Sequence, residues 1–206
     1  MSTFTPPPTP TYAEATPRVR VAKAITDVLA PGHLVIGLLL LIGWHSTGNP
    51  VGVGWGLFAA FFCGVIPLVI IRLGVRRGKL TDKHVRVRKQ RIVPLTATLV
   101  SVVTGIVLLD VLGAPREVFA LVIAMLAGLA SALVVTVWWQ ISVHNAVAGG
   151  TVMILLLAYG PVLLPAVVLV LAIGWSRRVL KAHTLPQLIC GTALGAVAAT
   201  VFAVLS

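Results

Sequence analysis

Charged side chains are scarce. Asp, Glu, Lys and Arg make up 10% of the 206 residues, against about 25% in an ordinary soluble domain. With 58% apolar residues, that scarcity excludes a conventional water-soluble globular protein. Acidic residues are the rarest of the charged set, five against sixteen Lys and Arg, leaving a formal net charge of +11. Cysteine is limited to Cys63 and Cys190, both inside apolar runs. A thiol there behaves as a small hydrophobe, so neither a disulfide nor a thiol centre is indicated. The first 18 residues are rich in Pro and Thr and have no apolar stretch. No cleavable signal peptide is therefore expected, and the first spans are expected to serve as the targeting signal.

What the chain has in abundance is apolar runs near 20 residues, long enough to cross a hydrocarbon core roughly 30 Å thick. The sequence therefore predicts an all-α, polytopic transmembrane helical bundle of six to seven segments. The excess positive charge does not point to nucleic acid. It sits beside hydrophobic spans, where topology signals and anionic-lipid contacts belong.

Three regions follow. Residues 1–17 contain Pro6-Pro7-Pro8 and Pro10 and read as a disordered tail. Residues 18–31 read as an interfacial amphipathic helix, with Val21, Ile25, Val28 and Leu29 on one face and Arg20, Lys23 and Asp27 opposite. Residues 32–206 form the membrane domain. Its hydrophobic segments lie at about 33–46, 52–74, 93–112, 117–138, 145–159, 162–175 and 187–205. Gly48-Asn49-Pro50, Gly113-Ala114-Pro115 and Gly160-Pro161 are tight connections on one side. Residues 75–92, 139–144 and 176–186 lie on the other. The fifth and sixth segments are short, and Pro165 weakens the sixth, yet His144 to Arg177 fits a helical hairpin. Trp44 and Trp55 mark one interface and Trp138, Trp139 and Trp175 the other. Fifteen of the sixteen Lys and Arg fall with the N-terminus and the three polar loops, and Arg116 alone lies opposite. The positive-inside rule then puts the N-terminus and those loops in the cytoplasm, here of a bacterial inner (plasma) membrane. Gly191, Gly195 and Ala199 form a small-residue stripe, suited to internal helix packing, with homo-oligomerisation as the alternative use.

Three polar patches interrupt this apolar background: His84 to Pro94, Ser142-Val143-His144, and Ser176-Arg177 followed by His183. Polar groups at membrane depth are costly and mark functional sites by default. Arg suits phosphate because its planar fork matches the phosphoryl oxygens. Arg91 and Arg177, with the Ser142 hydroxyl and nearby backbone N–H groups, can form such a cage, while His144 and His183 divide acid and nucleophile roles. His33 and His45 lie near span ends and do not suggest a metal cluster. Asp110 sits near the opposite interface as a weak proton-relay candidate.

The order of these patches resembles the motifs of the phosphatidic acid phosphatase type 2 superfamily, K-x6-R-P, P-S-G-H and S-R-x5-H-x3-D. The resemblance covers roughly residues 80–205. It implies an integral-membrane phosphatase acting on an isoprenoid or phosphatidyl phosphate or diphosphate within the bilayer, with no cofactor or metal. His183 would attack phosphorus to give a phosphohistidine, and His144 would protonate the leaving alkoxide. Arg91, Ser142 and Arg177 would bind phosphoryl oxygens. His84 stands where the family has Lys, with Lys83 adjacent, and the proline is displaced to Pro94. Arg88 competes with Arg91 for the first-motif role, and His84 reads equally as a site or a loop residue. Val143 replaces the glycine of the second motif. Gln187 replaces the acidic residue expected to orient His183. Its carbonyl can accept the ring N–H but cannot offset the charge that develops during attack, so weakened nucleophilicity is expected. Two other classes remain: a phosphatase-like protein that binds or moves phospholipid headgroups without hydrolysis, and a small-solute transporter. The transporter is the weaker, because the spans hold few ionisable groups and no clear repeat. Many bacterial relatives are thought to present the site to the outer face, against the charge-derived orientation.

Overall fold

A computed structural model describes residues 11–85 and 87–206. Most of the expected tail, residues 1–10, lies outside the described residues, and Arg86 does too. Residues 11–16 form a turn in which the Thr11 amide and hydroxyl both donate to the Glu14 carboxylate.

Every described element is helical: α1 Pro17–Val28, α2 Pro31–Thr47, α3 Pro50–Ala60, α4 Ile66–Arg76, α5 Ile92–Val111, α6 Arg116–Trp138, α7 Val143–Tyr159, α8 Val167–Val179 and α9 Leu185–Leu205. Proline opens α1, α2 and α3 and stands second in α9. At a helix start the missing N–H costs nothing and the fixed φ is already helical. Gly48 closes α2 at φ 65°, where a side chain is disfavoured. The Asn49 side chain then accepts from the Val51 amide at 2.9 Å and starts α3.

Between α3 and α4 the chain takes a π-helical turn, Phe61–Val65. Pro67 follows it and has no N–H to offer the preceding turn. The Phe62 carbonyl instead accepts from Ser101 Oγ of α5 at 2.7 Å. Pro165 is likewise placed in a 3-10 turn, Pro161–Ala166, that runs into α8. The resulting helical stretch, Pro161–Val179, is longer than the hydropathy-based 162–175 segment.

Five helical stretches are long and apolar enough to cross a membrane, and α1 with α2, bent by 45°, would make a sixth. Helix α7 is apolar but shorter, at 17 residues. The fold is therefore a helical bundle of membrane-protein composition.

Helix α7 lies at the centre, packed against α2, α8 and α9. The small-residue stripe of α9 serves this packing. A Cβ on Gly195 would strike the Ala146 carbonyl, and one on Gly191 would come within 2.6 Å of the Ser142 carbonyl. The backbones of α7 and α9 therefore meet directly, and the Ser142 amide donates to the Gln187 carbonyl at 3.1 Å. The second and third sequence patches are stitched together there.

Helix α1 precedes α2 across a 45° bend. It docks on α8 through Ala22 and Thr26, with Ala22 in a small cluster with Leu180 and Ala182. Val21 and Val28 of the expected apolar face are exposed. Asp27, expected on the polar face, turns toward the loop before α5.

Candidate active site

The three patches converge at one end of the bundle, each placed by a local device. Arg91 ends a 3-10 turn, Arg88–Arg91, that leads into α5. It is 5% exposed. Its Nε donates to the Val85 carbonyl at 2.8 Å and its Nη1 to the Ile141 carbonyl at 2.8 Å. Val85 presents that carbonyl at φ 43°, a strained conformation for a β-branched residue. Arg91 Nη2 lies 3.4 Å from His183 Nε2.

The two first-motif arginines separate cleanly. Arg88 Nη1 donates to the Thr136 and Val137 carbonyls at 3.2 and 2.6 Å, satisfying orphan acceptors in the last turn of α6. Arg88 is thus a helix cap and Arg91 the buried site arginine.

The S-R-x5-H spacing has a geometric origin. Helix α8 ends with the Lys181 amide bonded to the Arg178 carbonyl and the Ala182 amide to the Arg177 carbonyl, at 3.0 and 2.9 Å. Lys181 sits at φ 49°. This is a Schellman reversal with Lys where Gly is usual. His183 follows immediately beyond the reversal. Arg177 and His183 are 1% and 2% exposed. Ser176 is tied to α1. Its Oγ donates to the Ile173 carbonyl at 2.8 Å, so the Thr26 hydroxyl, 3.0 Å away, donates to it.

His144 occupies the first turn of α7 and is buried. Its Nε2 has no hydrogen-bond partner among the described residues. Its ring meets the His84 ring edge-on, centroids 5.2 Å apart. Arg177, His84, His183 and Arg91 are the charged or titratable groups acting on it.

Two of the candidate side chains also have local partners. The Ser142 hydroxyl, expected on a phosphate oxygen, is the N-cap of α7: it accepts from the Asn145 amide and donates to Asn145 Oδ1, both at 3.3 Å. The Gln187 carbonyl, expected on the His183 ring, accepts from the Thr184 amide at 3.0 Å. It completes a capping box at the start of α9. Both side chains shape helix ends, and their backbones, joined through Ser142 N–H and Gln187 C=O, hold the site together.

Asp27 is the residue that the sequence patches omit. Its Oδ1 accepts from Lys83 Nζ at 2.8 Å and faces His84 Nε2 at 2.9 Å, and its Oδ2 accepts from the Tyr12 hydroxyl at 3.1 Å. Lys83 is otherwise largely exposed. His84 is half-enclosed and held below the ordinary histidine value. Burial is the main cause and the Arg177 charge adds to it, while Asp27 opposes them in part. No sequence signal within the patches points to Asp27, which is 57 residues from His84.

A cavity of about 210 Å³ opens onto this cluster, lined by Asp27, His33, Arg72, Lys83, His84, Arg91 and His144 among others. Arg91 and His144 line it and His183 does not. Next to it lies an apolar cavity of about 230 Å³ between α2, α4, α5, α6, α7 and α9. The two share Pro31, Gly32, Leu68, Ile71, Leu95, Thr98 and Val143. A cationic chamber thus adjoins a hydrocarbon-lined one. Among the described residues, no three His, Cys, Asp or Glu side chains converge on a point that could hold a metal ion.

Compared with models of protein families, with curated proteins and with solved structures, the chain has no match.

Proposed function

We propose that the chain is an integral-membrane phosphatase acting on the phosphate or diphosphate ester of a membrane lipid, isoprenoid or phosphatidyl, in line with the superfamily its motifs resemble. The observation that carries this reading is the 3.4 Å approach of Arg91 Nη2 to His183 Nε2. A guanidinium only donates, so Nε2 is the lone-pair nitrogen of His183. A nucleophilic nitrogen therefore stands beside a group suited to phosphoryl oxygens. The phosphoryl group would bind alongside Arg91, with Arg177 adding charge behind it. His183 Nε2 would form the N–P bond as the bond to the lipid oxygen breaks, and His144 would give that oxygen a proton. Water would then hydrolyse the phosphohistidine. The adjoining apolar cavity suits the lipid chain.

In this reading all seven hydrophobic segments cross a bacterial plasma membrane and the site faces the cytoplasm, as the distribution of Lys and Arg favours. Reporter fusions at residue 114 and at the C-terminus should then both report the outside. The decisive assay is phosphate release by purified protein from prenyl and phosphatidyl phosphates, with acid-labile phosphoenzyme trapping. His183→Ala should abolish both signals, and release equal to wild type refutes the reading.

A second reading is favoured by one observation, the commitment of the Gln187 carbonyl to the Thr184 amide. If His183 lacks carboxylate support, the site would bind or move phospholipid headgroups without turnover. Headgroup binding that survives His183→Ala, with no phosphoenzyme, would select this alternative.

A further inference from the structure

The third patch carries Gln187 in place of an acid, but the folded chain brings a different carboxylate to the site. Asp27, from α1, contacts His84 Nε2 at 2.9 Å. An ionised carboxylate only accepts, so His84 donates through Nε2 and its Nδ1 keeps the lone pair. His84 is held on its other sides as well. Its amide donates to Asp82 Oδ1 at 2.8 Å and its ring lies against His144. The neighbouring Val85 carbonyl holds Arg91. Asp27, His84, Arg91 and His144 all line the same cavity. This arrangement has the parts of an acid–base pair: a titratable ring on the cavity wall, a carboxylate fixing its tautomer, and a phosphate-type donor beside it.

We propose that His84 is the general base that activates the water hydrolysing the phosphoenzyme, with Asp27 as its positioning residue. The proposal rests on the phosphatase reading above. As the water oxygen bonds to phosphorus, its proton passes to His84 Nδ1. The P–N bond to His183 breaks and its electron pair returns to Nε2. His84 then releases the proton to solvent and inorganic phosphate leaves. The groups facing His84 are Asp27 from α1, Lys83 and Asp82 from its own loop, His144 from α7 and Arg177 from α8.

The test uses the purified full-length protein in detergent with a radiolabelled prenyl monophosphate, following covalent label and phosphate release together. In H84Q the label should accumulate while release falls about 100-fold, within the range of general-base contributions. In D27N release at saturation should fall about tenfold with KM changed less than about threefold. The acidic limb of its pH profile should move to lower pH, because the carboxylate that favours protonated His84 is gone. Y12F, which removes another Asp27 contact, should turn over like wild type. Wild-type release from both H84Q and D27N overturns the proposal. So does a D27N protein with unchanged kcat and tighter phosphate binding, since Asp27 would then be only an occupant of the anion site. If D27N does not fold, the labelling of H84Q decides alone. A wild type that neither labels nor releases phosphate removes the phosphatase reading and this proposal together. Normal labelling in wild type and H84Q with equal release removes the proposal alone.

Discussion

Gly191→Ala isolates the contact that joins the two halves of the site. A Cβ at this position would stand 2.6 Å from the Ser142 carbonyl oxygen and 3.4 Å from the Ser142 amide nitrogen. The obstacle is backbone, so no side chain can rotate away. Relief needs α9 and the start of α7 to separate by on the order of half an ångström, and overpacking of this kind costs about 1–3 kcal/mol. Alanine recovers roughly 0.5–1 kcal/mol of helix propensity, leaving a net loss of up to about 2.5 kcal/mol. Function should suffer more than stability. The same shift strains the Ser142 N–H to Gln187 C=O bond, 3.1 Å long, which holds the His144 and His183 segments in register. Misplacement near 1 Å costs roughly 100-fold in rate, so a five- to fifty-fold loss of turnover is the expected order of magnitude. Gly37→Ala and Gly54→Ala are the controls, because a Cβ at either position meets nothing within 4 Å. Tryptophan fluorescence during denaturant or thermal unfolding in detergent, beside phosphate-release kinetics, reads both effects. Gly191→Ala that unfolds and turns over like the controls refutes the direct α7–α9 contact.

The remaining expectations separate structural from chemical roles. Arg88→Gln should cost about 0.5–1.5 kcal/mol by exposing two α6 carbonyls and leave KM unchanged, whereas Arg91→Lys should raise KM or lower turnover at least tenfold by losing the planar fork. Lys181→Gly should stabilise the fold by about 1 kcal/mol, since φ 49° penalises a side chain, and unfolding midpoints measure the gain. Ser142→Ala should remove an N-cap worth about 1 kcal/mol while changing phosphate affinity less than about threefold, because its hydroxyl is engaged with Asn145. His84 is held below its ordinary value of 6.5, so between that depressed value and 6.5 the unfolded chain binds more protons than the folded one. Stability should therefore rise with pH through that window and fall on acidification, and the slope should flatten in H84Q.

Much of the bundle was legible because hydropathy and turn chemistry act locally. The stretches 117–138 and 187–205 fall inside α6 and α9, and Gly48-Asn49-Pro50 forms a helix stop, a cap and a helix start in turn. The π-helical turn at Phe61–Val65 was not legible, because its stability depends on Ser101 reaching the Phe62 carbonyl from another helix. Spacing brings Arg91, Arg177, His144 and His183 to one end of the bundle, while the local partners of Ser142 and Gln187 are helix-end groups that spacing does not reveal. Thr184-x-x-Gln187 carries a local signal, the capping box, that competes with a catalytic role for Gln187. Arg88 and Arg91 are told apart by their tertiary partners, carbonyls of Thr136 and Val137 for one and of Val85 and Ile141 for the other. Asp27 was hidden for the same reason: on a helical wheel it belongs to the polar face, and only the docking of α1 through Ala22 and Thr26 carries it to His84.

That docking bears on why the site can exist at all. Arg91 and Arg177 are both buried, and burying a cation costs several kcal/mol unless its hydrogen bonds and charge are met. Arg91 meets the first requirement through carbonyls, which orient the fork without neutralising it. The acids named around the cluster are Asp27, committed to Lys83 and His84, and Asp82, which acts on Arg91 from a distance. Two carboxylates against Arg91, Arg177 and Lys83 leave the cluster net positive even with every histidine neutral. A fold tolerates such an excess when something else stabilises it, and a bound anion does so in proportion to RT ln(1 + [L]/Kd), about 2.7 kcal/mol at a hundred times Kd. The scarcity of acidic residues along the chain thus has a structural counterpart in a chamber whose charge favours an anion. In the proposed function its apolar neighbour would take the hydrocarbon chain of that anion. The proposed binding step would draw on both cavities whether or not His183 turns the ligand over.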